Sequence, residues 1–288
     1  MKIIQSVKEM QAFSRQLRQA GQTISFVPTM GYLHAGHLHL LREGRQRGDC
    51  LVLSIYVNPT QFGVGEDFEK YPRDFDKDSQ MAASVGTDVI FCPAGSDMYP
   101  EHYQTFINLD EVTQNLCGLT RQGHFRGVAT VCCKLFNIVK PQVAIFGKKD
   151  FQQLVVIRRM VEDLNLDLEI IGMPTVREVD GLAMSSRNTY LQEKEREAAL
   201  SLSQSLLLAK GLYDDGERDA ARILQAVRDR LAKNPLIQLE YAKICSILTL
   251  KDVAQLGEEA LLALAVKIGK TRLIDNHVFG EPLNIAFY

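Results

Sequence analysis

Apolar residues in this chain fall into two alternating patterns. Short, nearly unbroken apolar runs at 23–27, 50–56, 88–92, 142–146 and 168–172 read as buried strands. Between and around them, 7–20, 36–47, 74–85, 127–139 and 151–164 carry apolar positions at helical spacing. The 127–139 stretch is the clearest. Val128, Val131, Cys132, Leu135, Ile138 and Val139 share one face, and Pro141 stops the helix. Apolar strands separated by helices predict an α/β fold built on a parallel sheet covered on both faces. Ligands bind such sheets beyond the carboxyl ends of the strands.

The pattern changes after about Met173-Pro174. Residues 193–214 and 217–233 read as two charged, amphipathic helices, and 237–246, 260–268 and 271–275 as strands. This second half predicts a smaller, compact α+β domain.

Composition narrows the function classes. A chain of 288 residues suits one large or two modest domains. The formal net charge is −2, from 33 basic and 35 acidic residues, with no long basic run, so no nucleic-acid partner is expected. Met1-Lys2-Ile3-Ile4 leads straight into charged residues rather than a signal segment. No apolar stretch approaches the ~20 residues of a membrane helix, so no membrane association is expected. The six cysteines include no Cys-x-x-Cys, and most sit in apolar runs. They read as small core residues kept reduced, and hence as a sign of a cytoplasmic protein.

The candidate chemistry concentrates in Pro28-Thr29-Met30-Gly31-Tyr32-Leu33-His34-Ala35-Gly36-His37, where a strand hands over to a helix. A helix start offers N–H groups and partial positive charge to a phosphate, and Gly31 and Gly36 permit close approach. Two imidazoles add donors for charge developing in a transition state. A His-x-x-His pair also fits a metal site or a plain cap. For a metal, only His39 stands nearby, and the Glu of a zinc-protease motif is missing, so no metal ligand is assigned. His39 is expected to leave the other side of the helix toward solvent.

Four more segments carry polar groups that packing does not require. Asn58 and Gln61, in Val57-Asn58-Pro59-Thr60-Gln61-Phe62, offer neutral amides to a hydroxyl or carboxylate, although an Asn-Pro turn also explains them. Gly123-His124-Phe125-Arg126-Gly127 reads first as helix capping. In Gly147-Lys148-Lys149-Asp150-Phe151-Gln152-Gln153, Asp150 is a good N-cap. Its two lysines oppose the helix dipole unless an anion binds there. Met184-Ser185-Ser186-Arg187, after Gly181, could clamp phosphate with two hydroxyls and a guanidinium.

His34-x-Gly36-His37 resembles the HIGH signature of nucleotidyltransferases, and 181–188 resembles its KMSKS partner. With Ser54-Ile55-Tyr56-Val57-Asn58-Pro59, Tyr71-Pro72-Arg73, the segment 123–127, Lys149-Asp150-Phe151-Gln152-Gln153 and Arg272-Leu273-Ile274-Asp275-Asn276, they stand in the order and spacing of one family. The chain is identified by this set as resembling the pantothenate synthetase (pantoate–β-alanine ligase) family along nearly its whole length. The resemblance implies a Rossmann-like domain over 1–175 that binds ATP and pantoate, and a lid-like α+β domain over 176–288. It implies that ATP and pantoate form pantoyl adenylate and pyrophosphate, and that β-alanine then displaces AMP to give pantothenate. Mg²⁺ would accompany ATP, with no tightly bound cofactor, in a cytoplasmic homodimer.

Carried onto this sequence, Met30, Gly31, Tyr32, Leu33, His34, Ala35, Gly36 and His37 would hold ATP. His34 and His37 would stabilise the α-phosphorus, with His37 as proton donor. Gly147, Lys148, Lys149 and Asp150 would meet the nucleotide, with Lys149 on phosphate. The backbone of Val176 would contact adenine. Met184, Ser185, Ser186 and Arg187 would close over the triphosphate. Gln61 and Gln153 would hold pantoate beside Asn58, with Gln61 also meeting β-alanine. No enzyme nucleophile is needed, since the pantoate carboxylate attacks. Thr60 and Lys148 depart from the family, where many members carry Met and an acidic residue. An aminoacyl-tRNA synthetase fragment or a non-enzymatic nucleotide sensor would be the rival readings.

Overall fold

The computed structural model describes residues 1–257 and 259–283; the last five residues of the stretch expected to form the second domain, and Glu258 within it, lie outside the described residues. Six parallel strands form the first sheet: β1 (Lys2–Ile4), β2 (Ile24–Thr29), β3 (Cys50–Ile55), β4 (Val89–Phe91), β5 (Val143–Gly147) and β6 (Glu169–Met173). Their order is β1-β4-β3-β2-β5-β6. Helices α1 (Val7–Gln19), α2 (Ala35–Arg47), α3 (Phe75–Ala83), α6 (His124–Val139) and α7 (Phe151–Asp163) pack around it, with single turns α4 (Gly95–Met98) and α5 (Cys117–Thr120) in the long connection before α6.

Alternate strand residues enter two separate cores, as the two-residue repeat of a strand demands. Phe26, Val52, Phe91 and Ala144 pack with Met10 of α1 and with α6 and α7. Val27, Leu51, Leu53, Ile90 and Ile145 pack with Leu41 of α2 and Ala82 of α3. Burial on both faces is the reason these strands read as unbroken apolar runs. From β2 the chain steps through α2 to β3 on one side, whereas β5 steps through α7 to β6 on the other. The crevice between the carboxyl ends of β2 and β5 is therefore the place where strand order reverses, and where this architecture receives ligands.

The second sheet is antiparallel, β7 (Ile237–Ser246), β8 (Ala260–Ile268) and β9 (Thr271–Val278), with α8 (Glu193–Asp214) and α9 (Ala220–Ala232) beside it. Leu262, Leu264 and Val266 of β8 pack with Leu202 and Leu206 of α8 and Ile223 and Val227 of α9. Leu261 and Ala263 point the opposite way, into the core around α6 and α7. Strand β8 is thus enclosed by both halves of the molecule.

Three differences from the sequence expectations have simple causes. Strand β1 was not expected, because its three residues include two exposed ones and it exists by pairing with β4. Helix α6 starts at His124 rather than Gly127, with left-handed Gly123 (φ +79°) as its N-cap. Asp150 stands at the N-cap of α7, but its side chain makes no capping bond, because a 3₁₀ turn, Lys148–Asp150, runs directly into the helix.

A buried ion pair fastens the hairpin after β6 to the second sheet. Arg177 donates two hydrogen bonds to Asp275 of β9, at 2.6 and 2.9 Å, and a third to the carbonyl of Gly181 at 3.2 Å. The two side chains are 2% and 1% exposed. The next residue, Asn276, donates to the carbonyls of Lys148 and Lys149 at 3.0 and 2.8 Å. One corner of β9 therefore fixes both the turn after β5 and the hairpin leading to Ser185. Removing one member of such a pair strands a buried charge. Asp275→Ala should lower the unfolding free energy by about 3–5 kcal/mol, while Arg177→Met with Asp275→Leu should recover most of it. Denaturant titration of both variants checks this, and a loss below about 1 kcal/mol in the single variant would refute it.

Candidate functional site

The crevice begins with the turn out of β2. Gly31 (φ +81°) and Tyr32 (φ +51°) both take left-handed backbone. A Cβ at Gly31 would lie 2.9 Å from Asp78 Oδ2 and from Ile55 Cγ2, so no side chain fits. The buried carboxylate of Asp78, on α3, accepts the N–H groups of Tyr32 (2.8 Å) and Leu33 (2.6 Å), one on each oxygen. Thr29 Oγ1 accepts from Gly31 N at 3.2 Å and donates to the carbonyl of Ser54 at 2.7 Å. The turn is thereby held from below by α3 and β3.

This turn delivers His34 to the N-cap of α2. Its Nδ1 accepts from Gly36 N (3.2 Å), and His37 Nδ1 accepts from His34 N (3.3 Å), a reciprocal cap built from two imidazoles. A nitrogen that accepts an N–H cannot carry a proton itself. Both rings therefore hold their proton on Nε2 and are neutral. Their electrostatics agree. Burial, then Lys149, lowers the His34 pKa to about 4. Burial, then His34 and Lys149, pushes His37 well below its ordinary value. The ring centroids lie 4.0 Å apart. A Cβ at Gly36 would meet His34 Cε1 at 2.9 Å, so this glycine is set by the imidazole.

The expectation of free peptide N–H groups along 30–37 changes here. Those of Gly31, Tyr32, Leu33, His34, Gly36 and His37 already have acceptors within the protein. The side chains of this segment offer an anion a pair of Nε2–H groups.

Across the crevice stand the amides. Asn58 Nδ2 donates to the carbonyl of Gly127 (3.2 Å), which fixes which end of the amide is which, and also to Gln61 Oε1 (3.2 Å). Gln61 must then present its NH₂, which meets Met30 Sδ at 3.1 Å. Thr60 Oγ1 donates to Asn58 Oδ1 (3.1 Å) and lies 3.3 Å from Tyr99 OH. The hydroxyl at this departure from the family pattern thus braces Asn58. Of the neighbouring glutamines, Gln152 is a buried tie: it accepts from Cys117 N and donates to the carbonyls of Val112 and Asn115. Gln153 faces the crevice.

The charged groups are paired within the protein. Arg187 forms a two-bond fork with Asp67 (2.9 Å each) and lies over the Tyr71 ring. Arg121 forks onto Glu66 at 2.7 and 2.6 Å. Burial alone would raise the Glu66 carboxyl, but bonding to Arg121 outweighs it and holds the pKa at about 2. Lys149 Nζ lies 3.7 Å from Asp150 Oδ2. Ser186 Oγ donates to the carbonyl of Tyr32 at 3.4 Å, which brings the 184–187 segment onto the clamped turn.

A cavity of about 230 Å³ is lined by Met30, His34, Gly36, His37, Asn58, Gln61, Gly147, Lys149, Asp150, Gln153, Val176 and Met184 through Arg187. A second, of about 1270 Å³, shares Lys149, Asp150, Gln153, Ser185 and Arg187 with it and extends toward β8 and β9. The fold thus brings together nearly every residue expected at the site. Gly31, Tyr32, Leu33 and Ala35 line neither cavity; they serve the turn and the helix start. Lys148 also stays outside, its Nζ bound to Glu281 at 2.7 and 2.8 Å. His39 is half-buried on α2, away from both. Among the described residues no cluster of three His, Cys, Asp or Glu side chains suits a metal ion. Sequence reading missed Asp78, Glu66, Asp67 and Arg121. Only Asp78 carried a local signal, an acid four residues before the buried Ala82 on the inner face of α3.

A family model described as pantoate-beta-alanine ligase matches residues 2–278. The pantothenate synthetase of Syntrophus aciditrophicus is 67% identical over 285 residues, covering 99% of this chain and 100% of the relative. The crystal structure of pantothenate synthetase from Thermus thermophilus superposes with a TM-score of 0.92 at 40% identity, over 96% of this chain and 99% of that one. That of pantoate-beta-alanine ligase from Francisella tularensis, complexed with beta-gamma ATP and beta-alanine, gives 0.81 at 32% identity, over 98% and 99%.

The protonation of the two imidazoles is directly measurable. Nitrogen-15 chemical shifts of His34 and His37 should report neutral rings protonated at Nε2 from about pH 8 down to about pH 5.5, with no titration in between. A ring that gains a proton near about pH 6.5 would contradict the reciprocal cap.

Proposed function

We infer the chemistry of this crevice from one premise: the chain belongs to the pantoate–β-alanine ligase family. It joins pantoate to β-alanine in pantothenate biosynthesis, driven by ATP. The finer reading is a two-step reaction through pantoyl adenylate. One observation carries it: two neutral Nε2–H donors, the Lys149 ammonium and the amides of Gln61 and Gln153 line a single crevice where strand order reverses.

In the first step a pantoate carboxylate oxygen attacks the α-phosphorus of ATP, and pyrophosphate leaves. Gln61, with its NH₂ presented by Asn58, and Gln153 hold pantoate in line for attack. Neutral imidazoles suit the α-phosphate because they donate hydrogen bonds that strengthen as charge builds, without the cost of desolvating two adjacent cations. Because His37 is held neutral, its role is that of an Nε2–H hydrogen-bond donor rather than the proton donor expected from the sequence, and His34 supports it through the shared cap. Lys149 offsets phosphate charge from the β5 side. Arg187 can exchange the two oxygens of Asp67 for two phosphate oxygens without changing its fork geometry. In the second step the β-alanine amine attacks the acyl carbon, and AMP leaves. Positioning and electrostatics supply the catalysis, and no enzyme nucleophile takes part.

Mg²⁺ would come in on the triphosphate, whose oxygens are its natural hard ligands, and would neutralise part of their charge. Asp150, half-exposed on the crevice wall, is the protein carboxylate at hand for it. The backbone of Val176, already tied to Met184 N at 2.9 Å, supports the adenine side. We assign ATP and pantoate binding to 1–175 and the closing lid to 176–288. Six free cysteines support a reducing, cytoplasmic setting, and the family resemblance supports a homodimer. Among the described residues no helix is long and apolar enough to cross a membrane.

The order of steps is tested by isotope exchange. Labelled pyrophosphate should enter ATP when pantoate is present and β-alanine is not. Exchange that needs β-alanine as well would rule out a free-standing adenylation step.

A further inference from the structure

Segment 123–127 reads in the sequence as a helix cap, and the reaction above leaves it without a task. Its capping role is slight. Gly123 has no side chain to offer, and neither ring nitrogen of His124 bonds to its own helix. Instead, His124 Nδ1 lies 2.8 Å from the carbonyl of Gln61, and His124 Nε2 lies 3.0 Å from Arg121 Nη1. A guanidinium only donates, so Nε2 must accept. The proton is thereby placed on Nδ1, which donates to Gln61. Arg121 also donates to the same carbonyl through Nη2 (3.3 Å), and it is itself oriented by the two oxygens of Glu66.

That carbonyl ends the 3₁₀ turn Pro59–Gln61, where an unpaired acceptor would leave the turn free to rotate. The other end of the segment acts on the same turn. A Cβ on Gly127 would lie 2.3 Å from the Thr60 carbonyl oxygen and 2.7 Å from Gln61 N. The helix therefore packs backbone to backbone against the turn. The Gly127 carbonyl also orients Asn58, and Asn58 orients the Gln61 amide. Main chain and side chain of Gln61 both take their direction from the first turn of α6.

We propose that segment 123–127, acting through His124 and its partner Arg121, is the positioning device that aims Gln61 at pantoate. His124 and Arg121 are positioning residues, not catalytic ones. The proposal rests on the reading of Gln61 as a pantoate ligand given above.

Steady-state kinetics of five variants test it: His124→Ala, His124→Asn, Arg121→Met, Gln61→Ala and the double variant His124→Ala/Gln61→Ala. Loss of one hydrogen bond that orients a ligand should raise the KM for pantoate about tenfold in His124→Ala. The KM for ATP should stay within about twofold. Asn carries an N–H near the position of Nδ1, so His124→Asn should recover most of the loss. Arg121→Met should shift the pantoate KM in the same direction, and it supplies the readout if His124→Ala does not fold. In the Gln61→Ala background, His124→Ala should add less than about twofold, because the group it aims is gone.

An unchanged pantoate KM in His124→Ala, alongside a raised one in Gln61→Ala, would overturn the positioning role and leave the Gln61 reading intact. An unchanged pantoate KM in Gln61→Ala would overturn the Gln61 reading and this proposal with it. Fully multiplicative effects in the double variant would show that His124 acts elsewhere. Equal rises in the KM for ATP and pantoate would show a general loss of structure, and would also refute it.

Discussion

The carboxylate of Asp78 is the constraint on which the site depends. A non-glycine residue in left-handed backbone, such as Tyr32, is held only where its surroundings over-determine it. Asp78 does this by taking the N–H groups of Tyr32 and Leu33 on its two oxygens. With that turn fixed, the chain leaves β2 and enters α2 with His34 at the cap and His37 one turn on. The two imidazoles then satisfy each other's helix start and are locked as neutral Nε2–H donors. Ser186 docks on the carbonyl of Tyr32, so the 184–187 segment takes its reference from the same turn.

The two guanidiniums at the crevice, Arg187 and Arg121, are already matched to carboxylates. Asp67 presents to Arg187 the same paired-oxygen geometry that a phosphate would, and Glu66 does so for Arg121. In the proposed reaction, a phosphate at Arg187 would gain only the difference between two good partners rather than the full strength of one. Lys149, with only a 3.7 Å contact to Asp150, is the less committed cation. Lys148 stands apart, since its pairing with Glu281 uses its charge to hold the segment after β9 against the turn after β5. Together with Asn276 on the carbonyls of Lys148 and Lys149, this makes the second sheet a scaffold for the turn after β5.

Much of this was legible in the sequence. The alternation of apolar runs and helical stripes yields the strands and major helices to within a few residues, apart from β1, because each is locally encoded by burial on its own face. His34, His37, Gln61, Lys149 and Arg187 stand out because packing gives no reason for polar groups at strand ends. The residues that place them were harder to see. Arg177 and Asp275 are 98 positions apart, and an ion pair across that separation leaves no local pattern. Asp67 and Glu66 look like ordinary surface acids in a polar loop. The protonation of His124 follows only from what Arg121 donates, which no spacing rule contains. Gly127 reads as part of a helix cap, whereas its absence of a side chain is demanded by the Thr60 carbonyl of another segment.

The central claim is that the pantoate carboxylate itself attacks the α-phosphorus in this crevice. Pantoate carrying oxygen-18 in its carboxylate tests that bond directly. Complete turnover with ATP and β-alanine, followed by mass spectrometry of the nucleotide, should give AMP with one heavy oxygen and pantothenate that retains the other. Unlabelled AMP, or ADP with the heavy oxygen in inorganic phosphate, would place the attack at another phosphorus and contradict the account.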